Sequence, residues 1–141
     1  MAVRTSKAIW EGNLREGKGT MTLGSGAFSG SYSYTTRFEE EPGTNPEELI
    51  AAAHAGCYSM ALSGGLGNAG FSPTRIQTAA KVHLGRVEGK SRITKIELEC
   101  EAEVPGISEE VFQNIAEATK TGCPVSAALA AVEITLNARL V

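Results

Sequence analysis

The sequence predicts an α+β domain in which antiparallel sheet is covered on one side by helices, with one long apolar helix near the middle of the chain. Three observations carry that expectation. A strong helix start at Asn45 is followed by an apolar-rich run. Apolar and charged residues alternate strictly from Lys95 to Val104. A second alternating segment, Val132 to Leu140, closes the chain.

Taken in order, Ala8–Glu11, Lys18–Leu23 and Tyr32–Glu39 read as short strands separated by glycine-rich turns. At the helix start, Asn45 is the N-cap, Pro46 the first helical residue and Glu48 the third, as in a capping box. That helix is expected to run to about Gly64. It is apolar almost all round, which places it at the centre of the core or of a dimer.

Arg75–Val87 and Ile93–Val104 read as strands. In the second, Ile96, Leu98, Cys100, Ala102 and Val104 alternate with Lys95, Glu97, Glu99, Glu101 and Glu103, so one face is buried and the other charged. After Pro105-Gly106, Ser108 caps a helix through Val111, Ile115 and Ala118 that ends at Gly122, and Cys123-Pro124 opens a short second one. Val132, Ile134, Leu136, Ala138 and Leu140 alternate along the last strand.

The length, 141 residues, suits a single domain over residues 1–141 that buries a core without staples. Thirteen Lys plus Arg against sixteen Asp plus Glu give a formal charge of -3, with no basic cluster, which argues against nucleic acid as a partner. Met1–Trp10 lacks an apolar stretch of signal-peptide length, and Leu49–Leu62 is too short to span a bilayer. The expectation is a cytoplasmic protein that does not associate with membrane.

No G-x-G-x-x-G, G-x-x-x-x-G-K-[ST] or G-x-S-x-G occurs, which leaves dinucleotide, P-loop and α/β-hydrolase chemistry unsupported. Three cysteines with no C-x-x-C make neither a secreted disulfide framework nor a zinc ribbon. Each thiol therefore has to be read in its own surroundings.

Cys100 lies on the apolar face of an alternating strand, where free cysteine is ordinarily a buried packing residue. Cys123 precedes Pro124 at a predicted helix N-terminus, where unpaired N–H groups and the macrodipole favour a thiolate. Cys57 sits three turns into an apolar helix, where burial alone raises its pKa and makes it inert. Its reactivity requires a cation from elsewhere, and Arg37 is the nearest in chain order, although a lone arginine on a strand is usually a solvated side chain.

His54, one turn before Cys57, shares a helix face with it and could act as base, against the plainer reading of a core or interface histidine. His83, on a strand, carries no signal. A metal site from His54, Cys57 and Cys123 lacks the spacing of zinc sites and needs a fourth ligand. Glu47 has its own plain reading, a first-turn glutamate complementing the helix dipole.

The segments Trp10-Glu-Gly12, Thr36-Arg-Phe-Glu39, Gly43-Thr-Asn-Pro-Glu-Glu-Leu49, Ala52-Ala-His-Ala-Gly-Cys57, Ser59-Met-Ala-Leu62 and Gly122-Cys-Pro-Val-Ser126 together resemble the osmotically inducible protein C (OsmC) family. That family belongs to the OsmC and organic hydroperoxide resistance (Ohr) superfamily of bacterial thiol peroxidases. The resemblance covers nearly the whole chain. It implies an intertwined homodimer with two active sites at the subunit interface.

It further implies Cys57 as the peroxidatic cysteine, Cys123 as the resolving one, and Arg37 and Glu47 as the pair that activates and positions the thiolate. The implied cycle attacks the O–O bond of an organic hydroperoxide, or of hydrogen peroxide, in oxidative or osmotic stress defence. The Cys57 sulfenic acid then closes to a Cys57–Cys123 disulfide. No metal or prosthetic group is implied, only an external dithiol reductant, lipoyl-linked in the family.

Ten helical residues separate Glu47 from Cys57 by about 15 Å along the axis, so Glu47, with Arg37, is expected to reach Cys57 of the partner subunit. Two other readings compete with the peroxidase. One is a binding module whose apolar pocket holds an acyl chain or other hydrophobic ligand. The other is a redox sensor that uses the same disulfide as a switch.

Overall fold

Glycine-rich turns connect three short strands at the start of the chain: β1 (Ser6–Glu11), β2 (Lys18–Leu23) and β3 (Ser29–Tyr32) pair antiparallel in that order. Trp10 and Tyr32 pack on one face with ring centroids 5.4 Å apart. Gly19 permits this, because a Cβ there would lie 2.6 Å from the Tyr32 ring and 2.8 Å from the Trp10 ring. The computed structural model describes all 141 residues, which form two compact units, Met1–Leu49 and Ile50–Val141.

The expected strand Tyr32–Glu39 does not exist. β3 ends at Tyr32, and Tyr34–Phe38 is a one-turn helix, α1. Ser33 decides this: its Oγ accepts the Thr36 N–H at 3.3 Å while Thr36 Oγ1 accepts the Ser33 N–H at 2.8 Å. This reciprocal capping box offers the backbone a local alternative to ladder pairing. Arg37 accordingly sits on a helical turn rather than a strand.

The long helix α2 (Pro46–Asn68) starts as the sequence indicates, with Asn45 Oδ1 accepting the Glu48 N–H at 2.8 Å. Only that half of the capping box forms, since the Glu48 carboxylate accepts from the Thr44 hydroxyl instead, at 3.0 Å. α2 runs four residues past the expected end at Gly64, because Gly64, Gly65 and Gly67 are carried inside it.

It stops at Gly70, whose φ of +92° few other residues adopt. There the Phe71 N–H donates to the Leu66 carbonyl at 2.9 Å and the Gly70 N–H to the Gly67 carbonyl at 3.0 Å. Those two bonds are a Schellman motif, and Phe71 packs on the cluster that contains Leu66.

Although apolar nearly all round, α2 is covered on one side within this chain. His54, Tyr58, Leu62 and Leu66, each four residues after the last, form its buried stripe, while Ala53, Gly56, Met60, Gly64 and Gly67 face outward. At 23 residues it is long and apolar enough to cross a bilayer, unlike the shorter Leu49–Leu62 run. The buried stripe packs into the core cluster of this chain.

β4 (Arg75–Val87) and β5 (Lys90–Glu103) form an antiparallel hairpin across Glu88-Gly89, both with positive φ as a two-residue type I′ turn requires. β5 buries Ile96, Leu98, Cys100 and Ala102 on its inner face, as its alternation predicts. The outer face pairs His83 with Glu97, Lys81 with Glu99, and Arg139 with Glu101.

The final strand β6 (Glu133–Leu140) departs from the all-antiparallel expectation by joining β5 in parallel. A parallel pair needs a long crossover, which α3 (Glu109–Gly122) and α4 (Pro124–Ala128) supply. Phe112 and Ala116 of α3 complete the core with Tyr58, Leu62 and Leu66. The Tyr58 hydroxyl donates to the Ala116 carbonyl at 3.0 Å, fixing α2 against α3.

Candidate active site

Cys57 and Cys123 come from distant parts of the chain and meet because α2 packs against the α3–α4 junction. Cys123 ends α3 and is the N-cap of α4, its Sγ accepting the Ser126 N–H at 3.3 Å. Cys57 is half-buried and Cys123 wholly buried, and both are free thiols. They lie close enough for each to bear on the other's ionisation by hydrogen bonding.

The two thiols are tuned in opposite directions. Burial pushes the Cys57 thiol up, the Val125 N–H opposes this, and the Cys123 thiol reinforces it. No cation lowers it. Burial also works against the Cys123 thiolate, but the Ser126 hydroxyl and N–H, the Cys57 thiol and the Val125 N–H together outweigh it, leaving Cys123 below the usual thiol range. Burial raising the thiol at 57 and N–H groups at a helix start favouring the thiolate at 123 both follow from position in the chain.

A polar chain continues from Cys123 into the core. Its Sγ–H donates to Ser126 Oγ at 3.2 Å, and Ser126 Oγ lies 2.7 Å from Nε2 of His54, which is fully buried. His54 Nδ1 has no hydrogen-bond partner. Burial lowers the His54 pKa and keeps the ring neutral near pH 7.

Ser126 is the site residue that the sequence left without a role. Its signal was the spacing in Cys123-Pro-Val-Ser126, since the third residue after an N-cap is the one whose N–H the cap accepts.

The other expected site residues form a separate cluster in the N-terminal unit. Arg37 Nε donates to both Glu47 carboxylate oxygens at 3.2 Å, and Nη2 donates to Oε1 at 2.8 Å. Glu47 is buried, the second residue of α2, and the Asn45 side-chain amide donates to the Thr36 carbonyl at 3.0 Å, tying α1 to the start of α2. A two-toothed arginine–carboxylate pair holds the guanidinium in a defined orientation.

Beside Arg37 is a cavity of about 240 Å³ lined by Trp10, Leu14, Tyr32, Tyr34 and Phe38. An apolar wall with one fixed cation suits a small molecule with an alkyl or aryl body and a polar end.

Of the remaining titratable candidates, Cys100 is buried among core residues and burial raises its pKa. His83 bonds Glu97 on the solvent face of the sheet. No group of three or more His, Cys, Asp or Glu side chains is arranged to hold a metal ion.

The OsmC family model, described as OsmC-like protein, matches residues 38–137. The peroxiredoxin OsmC of Escherichia coli strain K12 is 52% identical over 138 residues, covering 97% of this chain and 96% of that protein. Among solved structures, an OsmC-like protein of unknown function from Vibrio cholerae superposes with a TM-score of 0.77 at 16% identity, over 98% of this chain and 99% of that one.

An organic hydroperoxide resistance protein OsmC from Legionella pneumophila gives a TM-score of 0.75 at 22% identity, with both chains fully covered. At such identities the two structures show a common fold. With the family model spanning most of the chain and a relative matched at half its residues, this chain belongs to the OsmC family.

Proposed function

We propose that the protein is a thiol peroxidase that reduces organic hydroperoxides, and hydrogen peroxide, through Cys57 and Cys123. The observation that carries this reading is the meeting of two free thiols, one half-buried and one held at a helix N-cap. The Cys57 thiolate attacks the O–O bond, releasing the alcohol and leaving a sulfenic acid. The Cys123 thiol displaces hydroxide from that sulfur, giving a disulfide and water. An external dithiol, of the lipoyl type by family resemblance, returns both to thiols by exchange.

Burial disfavours the Cys57 thiolate, so the first step needs a cation. Arg37, oriented by Glu47, is that cation, and it acts on Cys57 of a partner protomer. Two observations support the dimer. Glu47 and Cys57 stand ten residues apart on one continuous helix, about 15 Å along its axis. The outward face of α2, with Met60 79% exposed among alanines and glycines, is apolar and small enough for a second backbone to approach closely. Three unpaired cysteines accord with a reducing cytoplasm.

The test is to add one equivalent of cumene hydroperoxide to the reduced protein and map its thiols by mass spectrometry. A rapid Cys57–Cys123 disulfide with Cys100 still free is expected. Cys57→Ser should abolish peroxide consumption, whereas Cys123→Ser should stop at the Cys57 sulfenic acid and go on to sulfinic acid only when a second equivalent is added. Peroxide persisting over an unreacted Cys57 thiol would refute the peroxidase and favour a binding role for the apolar cavity.

A further inference from the structure

His54 is buried deep beside the thiols, yet the cycle above gives it no task. As a packing residue it is a poor choice, because it carries an Nδ1 with no partner into the core, where unpaired polar atoms destabilise the fold. A leucine or methionine would fill that volume without the penalty. Its other nitrogen makes one bond, to Ser126, and Ser126 makes the bond to Cys123.

We propose that His54 is the proton acceptor for Cys123 during disulfide closure, acting through the Ser126 hydroxyl. This rests on the peroxidase reading and assigns the one proton that it leaves unplaced. Cys123 Sγ attacks the sulfenic sulfur of Cys57; the S–S bond forms as the S–O bond breaks. Cys123 is oxidised and the Cys57 sulfur reduced, the oxidising equivalent having come from the hydroperoxide.

As the Cys123 proton passes to Ser126 Oγ, the serine's own proton passes to His54 Nε2. The departing hydroxide takes up a proton to become water, and the ring regains neutrality. The net change is one thiol and one sulfenic acid going to one disulfide and one water.

The direction of the bonds fits this path. With Cys123 Sγ–H donating to Ser126, the serine hydroxyl is free to donate to His54 Nε2, which must then be the unprotonated nitrogen. A proton shift reverses both bonds without moving a heavy atom. A neutral ring is required at the start, and burial provides it. The titratable groups around the ring are Cys57 and Tyr58 on its own helix and Cys123 across from it. The Tyr58 phenol is held protonated by burial, and at His54 itself burial alone shifts the ring, with no charged partner contributing.

His54 touches no reacting atom and is a positioning residue in that sense. Stopped-flow measurement separates the two steps: dimedone trapping times the Cys57 sulfenic acid, and free-thiol loss times the disulfide. His54→Gln keeps a hydrogen bond to Ser126 but cannot accept a proton.

The expected result is sulfenic acid formation at the wild-type rate with closure slowed about 100-fold near pH 7. The difference should shrink as pH rises and Cys123 ionises directly. His54→Asn, a smaller amide that likewise cannot take a proton, should show the same selective loss and decides the matter if the glutamine variant folds poorly. Closure at the wild-type rate in either folded variant would overturn the role of His54 and leave the peroxidase reading intact. Wild-type protein that forms no sulfenic acid would overturn both.

Discussion

In the proposed site, Arg37 and Glu47 act through geometry more than through charge. The guanidinium offers donors in a fixed fork, and the structure uses three of its contacts to lock it on one buried carboxylate. Lysine would keep the charge and lose the fork. Arg37→Lys is therefore expected to lower the rate constant of Cys57 with cumene hydroperoxide about 100-fold, the scale of losing one fixed donor at a reacting centre. A rate within twofold of wild type would mean that only a diffuse positive field is needed.

His54 makes a second residue-level prediction, about stability. Its folded pKa lies below the ordinary 6.5. Between the folded value and 6.5, the unfolded chain binds more protons than the native one, so stability rises with pH across that window and is lost on acidification below 6.5. Urea unfolding midpoints at pH 7 and pH 5 should fall further for wild type than for His54→Gln. Equal falls in the two proteins would show that the ring titrates normally.

At the scale of elements, α2 is defined by where it ends as well as by what it carries. Its Schellman turn at Gly70 sets the exit toward Phe71 and the strand that follows. Gly70→Ala places a Cβ at a φ of +92°, although nothing surrounds the position. The variant should lose about 1–2 kcal/mol of stability through backbone strain alone. Thermal denaturation checks this, and an unchanged midpoint would mean that the turn relaxes at no cost.

The short elements obey local chemistry in the same way. Ser33 turns five residues after β3 into α1, and Cys123 starts α4 with a sulfur in place of the usual oxygen cap. In both cases a capping side chain fixes the position of a candidate site residue, Arg37 in the first and Ser126 in the second.

For the whole molecule, the reading of the site requires two chains. Arg37→Ala and Cys57→Ser should each be inactive alone. If Arg37 serves the partner's Cys57, refolding them together restores one complete site in each mixed dimer. Half the dimers are mixed, so about a quarter of wild-type activity should return. Failure to recover any activity, with mixed dimers demonstrated, would place Arg37 and Cys57 of one chain in the same site. A stable and fully active monomer would remove the dimer from the mechanism.

The sequence by itself determined the secondary structure wherever a side-chain pattern repeats or a cap is unambiguous. The alternation in β5, the start of α2 at Asn45 and the cap at Ser108 are local in origin, and each stands where it was read. It failed at Tyr32–Glu39, where a serine and a threonine three residues apart outcompeted a strand-like composition, and at the end of α2, where glycines that usually mark turns stayed helical.

The family was also legible, because the motifs that carry the resemblance are spread over nearly the whole chain. Only the tertiary structure decided that β6 lies parallel to β5, that Cys57 meets Cys123, and that His54 and Ser126 extend that contact into the core. The contacts between α2 and the α3–α4 junction join residues about seventy positions apart, as His54 and Ser126 do. They depend on how α2 packs against the α3–α4 junction, and no local pattern encodes that packing.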